Sequence, residues 1–171
     1  MGAGQTLAEF ALVLPVLVAI LGGIIQFGLL FWAQNTLTQV VRDTGRWTAT
    51  QQWGGSVTGH DNCTPNSGSV VTEANTIAGA SSLLGYTPSM WSGPSQSDGV
   101  TVTWSDATTP KQPTIDACPP PDNSQVWFVT ITINHAVPTF FPGMQYLPVI
   151  GASNGQIVLS STATFRMEPA P

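Results

Sequence analysis

Charged side chains are scarce in this sequence. They make up 8% of its 171 residues, with 4 Lys+Arg against 9 Asp+Glu and a formal net charge of −5, whereas soluble domains carry about a quarter. Neutralising phosphates takes clustered Lys and Arg, so the few basic residues exclude nucleic acid as a partner. The length suits one ordinary domain with one additional element rather than two full domains.

Recognisable catalytic and metal-binding motifs are also lacking. There is no serine elbow, phosphate-cradling glycine loop or paired-cysteine zinc spacing. His60, Asp61 and Cys63 lie close together, but a metal site needs a fourth group or supporting partners, so we interpret them as a solvated turn with a disulfide cysteine. His135 is expected in a strand from Ile131 to Val137, on the same side as Ile133 and at the edge of the core. We therefore expect no enzymatic activity, no cofactor and no metal.

The shortage of charge is concentrated in one long apolar run. No ionisable side chain lies between Glu9 and Arg42, and the run from Phe10 to Ala33 is interrupted only by Pro15 and Gln26. About 20 apolar residues in a helix cross the ~30 Å hydrocarbon layer of a membrane. The run is too long for the apolar core of a cleaved export signal, about 7 to 15 residues, and it has no polar stripe. The pattern predicts a membrane span at about residues 10–33.

The helical pattern continues beyond the span and becomes amphipathic. Apolar and polar positions alternate at helical spacing up to Trp47. We therefore predict a single helix over residues 5–48, about 66 Å long at ~1.5 Å per residue. Gly45 weakens its last turns by ~1 kcal/mol relative to alanine. The predicted buried face of the outer half comprises Ala33, Leu37, Val40, Val41, Thr44 and Trp47.

Glu9 stands at the edge of the apolar run, where an unpaired carboxylate costs several kcal/mol unless a cation or water meets it. The order of Gly4, four residues, Glu9 and then Phe10 resembles the cleavage site of class III prepilins. Over about residues 4–48 the chain resembles the TadE-like pseudopilins, which are minor pilins of the tight-adherence (Flp/Tad) branch of type IV pili.

The resemblance implies roles for the first residues. Residues 1–4 would be a leader removed by a prepilin peptidase after Gly4, leaving Gln5 as the amino terminus. Glu9 would then pair with that terminal ammonium on a neighbouring subunit and fix the register of packed helices. Pro15 removes a backbone hydrogen bond and favours a kink or local melting, as in related pilins. The alternative for Glu9 is exposure to headgroup water.

The resemblance also implies partners and a location. The partners would be other pilin subunits, both the major Flp-like pilin and minor pilins, together with the prepilin peptidase, the inner-membrane assembly platform and membrane lipid before assembly. The chain would be a single-pass membrane protein with a cytoplasmic amino terminus and an outside head, incorporated in an extracellular pilus. Arg42 and Arg46 alone would place the head in the cytoplasm, but the cleavage motif and the composition of the head favour export. The alternative is a signal-anchored exported module for adhesion or carbohydrate binding.

Residues 49–171 form the predicted extracytoplasmic head. They are rich in Ser, Thr, Asn, Gly and Pro and contain both cysteines, Cys63 and Cys118. Outside the cytoplasm such a pair usually forms a disulfide, and closing this loop would contribute roughly 4 kcal/mol. Two free thiols are the alternative.

The head is predicted to be α+β. A helix begins at Ser69 and ends at Gly85, presenting Val70, Ala74, Ile77, Ser81 and Leu84 on one face. Three alternating segments then predict strands, around Val100–Trp104, Trp127–Asn134 and Ile157–Phe165. We expect an antiparallel sheet packed on the outer half of the long helix, with loops at 90–99 and 110–121.

The segment from Ala136 to Gly151 is apolar and aromatic but contains three prolines, which argue against a strand or a second membrane helix. Two interpretations stay open. The segment folds back over the core, or it forms an exposed patch that meets another pilin subunit or the membrane surface. The residues of that patch would be Phe140, Phe141, Tyr146 and Leu147.

Overall fold

A computed structural model of the chain describes residues 3–50, 69–106, 127–140 and 156–166. It contains helix α1 (Ala3–Ala49), helix α2 (Ser69–Ala80) and strands β1 (Gly99–Asp106), β2 (Trp127–Pro138) and β3 (Gln156–Arg166). The predicted α+β class is confirmed. Cys63, Cys118, His60, Asp61, Phe141, Tyr146 and Leu147 lie outside the described residues, so the disulfide and most of the patch stay predictions.

Helix α1 is one continuous helix that changes character along its length. It passes through Pro15 without interruption, while the kink expected there stays a prediction. Its outer half buries the predicted face, with Leu37, Val40 and Val41 at 0% exposure, and presents Arg42 and Asp43 to solvent. The amphipathic pattern therefore identified correctly which side of the helix the head covers.

The three strands form an antiparallel sheet in the order β1-β2-β3. Val102 is opposite Ile131, and Ile131 is opposite Ala163. Strand β2 lies at the centre and extends four residues beyond β1 at its carboxyl end, where only β3 pairs with it.

Alternation along each strand divides the sheet into two faces. The inner face presents Val100, Val102, Val129, Ile131 and Ile133 to a core that also includes buried residues of α1 and α2. Helix α1 packs on β2 and β3, and α2 packs against α1. The outer face carries threonines in register, and Thr130 pairs with Thr164 and Thr132 with Thr162 through hydroxyl hydrogen bonds of 2.8 and 2.9 Å. The core therefore lies between the sheet and the two helices.

Two predicted boundaries differ from the structure. Helix α2 ends at Ala80 rather than Gly85, because the chain turns through Ser82 at a φ of 55°. Strand β2 runs to Pro138 and pairs with β3 up to its end, so it enters the 136–151 segment that was expected to form no strand. Pro138 is the last residue of the strand, where a missing N–H is tolerated.

Candidate functional site: the exposed half of the long helix and its junction with the head

The amino-terminal half of α1 is an exposed apolar rod. From Leu7 to Ile25 every large hydrophobic side chain of the helix is at least 42% exposed, and Phe10 is 63% exposed. In the part of the chain that the structure describes, this is the one helix long and apolar enough to cross a membrane by length and composition. Water is a poor solvent for such a surface, so lipid or other apolar helices are its natural surroundings.

The predicted processing residues lie at the start of this rod. Gly4 and Gln5 are in the first turns of α1, which begins at Ala3. Glu9 and Phe10 follow one turn later, and both are exposed. The helix therefore places the Glu9 carboxylate on its outer surface, next to the apolar side chains that follow.

Contact with the head begins at Gln26, the single polar side chain within the apolar run. Gln26 is 1% exposed, and its Oε1 accepts a 2.9 Å hydrogen bond from the backbone N–H of Phe140. Its Nε2 is buried without a hydrogen-bond partner among the described residues. One turn farther on, Leu30 and Ala33 pack against Val137 and Ile157 in a small apolar cluster.

This junction overlaps the predicted span. The span was expected at about residues 10–33, and the burial shows that the head already covers one face of the helix from Gln26 onward. The opposite side stays exposed at the same level, at Phe27, Phe31 and Trp32. The domain boundaries themselves stay a prediction.

The exposed patch is described at one of its four positions. Phe140 lies just after β2 and is 60% exposed. Its side chain does not fold back over the core, although its backbone is tied to Gln26. The side chain is exposed at this one position, and both interpretations of the 136–151 segment stay predictions.

A buried polar cluster lies where the carboxyl end of β2 extends beyond the first residue of β1. The His135 ring is 0% exposed, its Nδ1 lies 3.1 Å from an Asp98 carboxylate oxygen, and its Nε2 lies 2.8 Å from the Leu84 carbonyl oxygen. A carbonyl oxygen only accepts, so Nε2 carries a proton and donates.

Asp98 also provides a hydrogen-bond acceptor for β2 beyond the end of β1. The Ala136 N–H, which lies beyond the end of β1, donates to the same Asp98 oxygen at 3.0 Å. Gly85, at a φ of 81°, lets the Leu84 carbonyl approach His135, because a Cβ there would crowd Pro138. The alternating pattern placed His135 on the correct side of its strand but at the edge of the core rather than inside it. The pattern carried no signal for Asp98 and Leu84 as its partners, because they are 37 and 51 positions away in sequence.

The cluster has the character of a structural clamp. The rings of Trp91 and His135 meet in a T-shaped contact with centroids 5.8 Å apart, and the polar contacts of His135 and Asp98 are all within the head. Among the described residues, no group of three or more His, Cys, Asp or Glu side chains is placed to hold a metal ion.

One comparison with known proteins gives a match. The sequence model of the family described as TadE-like protein matches residues 4–46, which confirms the resemblance to a Flp/Tad pilus component over that segment. No curated protein and no solved structure matches the chain. The matched segment is almost all of α1, and the whole of the predicted head, residues 49–171, lies outside it.

Proposed function

We propose that this chain is a minor pilin, or pseudopilin, that serves as a structural and assembly subunit of a Flp/Tad-type type IV pilus. One observation carries the proposal: the segment that matches the TadE-like family is a single helix with one exposed apolar half and one half in the core of the head. A helix of this kind can move from lipid into a bundle of similar helices while its head stays folded.

The proposed life of the subunit begins with processing. A membrane prepilin peptidase cuts after Gly4 on the cytoplasmic side, and Gln5 becomes the new amino terminus. The position of Gly4 five residues before the exposed Glu9, at the amino-terminal end of α1, supports this order of events.

Glu9 then sets the register of assembly. Packing the exposed rod against other apolar helices would take the Glu9 carboxylate away from water, which costs several kcal/mol unless a cation accompanies it. The ammonium of Gln5 on an adjoining subunit is such a cation. The pair would specify where two otherwise uniform apolar helices stop sliding.

The remaining roles are non-enzymatic. The head is displayed outside the cell membrane, the amino terminus begins on the cytoplasmic side, and the partners are pilin subunits and the assembly platform. The composition of residues 49–171, rich in hydroxyl and amide side chains, supports an exported head.

The experiment that tests this proposal is the intact mass of the full chain, extracted from cells with and without the prepilin peptidase. We expect a chain starting at Gln5 only when the peptidase is present, and recovery of that form with sheared filaments. A Gly4→Phe variant should stay uncut, whereas Gly2→Phe, the matched control, should be cut normally. A chain that keeps residues 1–4 in peptidase-containing cells and stays with the membranes contradicts the proposal and favours an exported module on a plain anchor.

A further inference from the structure

Four exposed aromatic side chains surround α1 at the level where the head begins. Phe27, Phe31, Trp32 and Phe140 are between 46% and 70% exposed. At about 100° per residue, Phe27 and Phe31 lie on one side of Gln26 and Trp32 lies on the other. Phe140 lies on the side of the helix that carries Gln26, because its backbone N–H donates to the Gln26 side chain.

Of these four, Trp32 has the amphipathic ring that is enriched at the interface between hydrocarbon and water in membrane proteins, and the three Phe rings beside it add exposed apolar surface. The opposite end of the rod has its own aromatic residue, Phe10, beside Glu9. From Phe10 to Phe31 the helix rises about 32 Å, close to the ~30 Å thickness of a hydrocarbon core. The two aromatic levels therefore fit the two surfaces of one bilayer.

Gln26 lies deeper along the helix than the level of Phe31. It precedes Phe31 by five residues, about 8 Å along the helix axis, and it is the residue to which Phe140 is bonded. The base of the head thus reaches the helix at a depth where the other sides of the helix face acyl chains.

Backbone polar groups at that depth need internal partners. Pro138, at the end of β2, brings no N–H, and the Phe140 N–H is taken by Gln26. The remaining contacts here, among Leu30, Ala33, Val137 and Ile157, are apolar. Apart from Gln26 Nε2, which is buried without a hydrogen-bond partner among the described residues, the junction has the composition expected of one immersed in lipid.

We propose that the base of the head, marked by the exposed ring of Phe140, is immersed in the interfacial layer of the outer leaflet while the subunit waits in the membrane. The partner is the lipid headgroup and upper acyl region, and the expected depth agrees with the ~5–10 Å reached by other interfacial elements. The inference rests on the proposed membrane anchorage of α1. It adds that the head lies on the bilayer with a fixed orientation rather than standing above it on a stalk.

The test uses the full chain in phosphatidylcholine–phosphatidylglycerol vesicles, with 4-trifluoromethylphenylalanine placed at one position at a time. Position 140 is the test site and position 31 is the control for immersion. Position 128 is the control above the membrane, since it lies at the far end of β2 from Pro138, about 33 Å along the strand. The fluorine signal of each is recorded with lipids that carry a nitroxide near the top of the acyl chain.

We expect the signals at positions 31 and 140 to lose intensity to the nitroxide lipid, and the signal at 128 to keep it. A signal at 140 that behaves like that at 128, while 31 is broadened, overturns this inference and leaves the membrane anchorage intact. A signal at 140 that ignores the lipid but changes when the chain is diluted in the bilayer assigns the surface to a second copy, which also overturns it. If none of the three signals loses intensity, including the signal at position 31, the result contradicts both the membrane anchorage and the inference.

Discussion

The ring of Phe165 on β3 lies directly over the backbone of Gly45 on α1, so that a methyl group built on Gly45 would overlap it. This contact explains a glycine that costs the helix ~1 kcal/mol relative to alanine. Without a side chain at position 45, the carboxyl end of β3, which carries Phe165, can approach α1 closely. The helix is slightly weakened locally, and the packing of β3 is improved.

We expect Gly45→Ala to destabilise the full chain in detergent by about 1 to 2 kcal/mol, because the cost of overpacking exceeds the gain in helix propensity. Thermal unfolding followed by circular dichroism measures the change. Gly79→Ala is the matched control, since a Cβ there meets only an ordinary contact with Tyr86 at 3.8 Å, and it should be neutral or slightly stabilising. Equal effects of the two substitutions would show that the Phe165 ring moves aside freely.

Asp98 accepts hydrogen bonds from the Ala136 N–H and faces His135 Nδ1. We expect Asp98→Ala to cost about 2 to 4 kcal/mol of unfolding free energy, since it leaves two polar groups without partners. Asp98→Asn should cost less, because the amide oxygen can still accept the hydrogen bond from the Ala136 N–H. Chemical denaturation of the two variants measures both values, and equal losses would contradict the hydrogen-bonding role of this side chain.

Gln26 closes the junction by accepting the Phe140 N–H. We expect Gln26→Leu to speed hydrogen exchange at the Phe140 amide about fivefold, the equivalent of ~1 kcal/mol for one hydrogen bond. Gln34→Ala is the control, since Gln34 donates to the Ser160 carbonyl in an exposed bond of 3.1 Å. An unchanged exchange rate at the Phe140 amide in Gln26→Leu would show that this hydrogen bond does not stabilise the junction.

Glu9 is the residue on which register depends in the proposed function. We expect Glu9→Gln to abolish or strongly reduce the amount of this chain in sheared filaments, because a neutral amide does not pair with a terminal ammonium. Glu73→Gln, which makes the same chemical change on α2, should leave assembly intact. Normal filament incorporation of Glu9→Gln, at normal membrane levels of the protein, would contradict the register role.

Cys63 and Cys118 are predicted to be joined in the exported head. We expect no free thiols in the unreduced, denatured chain, and a loss of roughly 4 kcal/mol of unfolding free energy in the Cys63→Ser, Cys118→Ser double variant. Thiol titration and chemical denaturation measure these quantities. Two titratable thiols in protein recovered from outside the cytoplasm would show that the bond does not form.

Local patterns were sufficient to predict most of the elements. An apolar run followed by an amphipathic stripe predicted α1 and its covered face, and alternation predicted all three strands. These signals are strong because the period of the backbone decides which side chains share a surface. The end of α2 and the last residues of β2 were wrong, since a turn at Ser82 and strand pairing at Ala136 depend on neighbours distant in sequence.

The sequence by itself determined that one helix is apolar all round at its start and striped at its end, because these properties follow from side-chain order alone. Only the tertiary structure decided where the head attaches, through Gln26 and Phe140, and that His135 is buried between Asp98 and Leu84. The residues of each pair are far apart in sequence. The separation is 37 positions for His135 and Asp98, 51 for His135 and Leu84, and 114 for Gln26 and Phe140. Contacts at such separation arise from the packing of the sheet on the helix, and no local pattern encodes them.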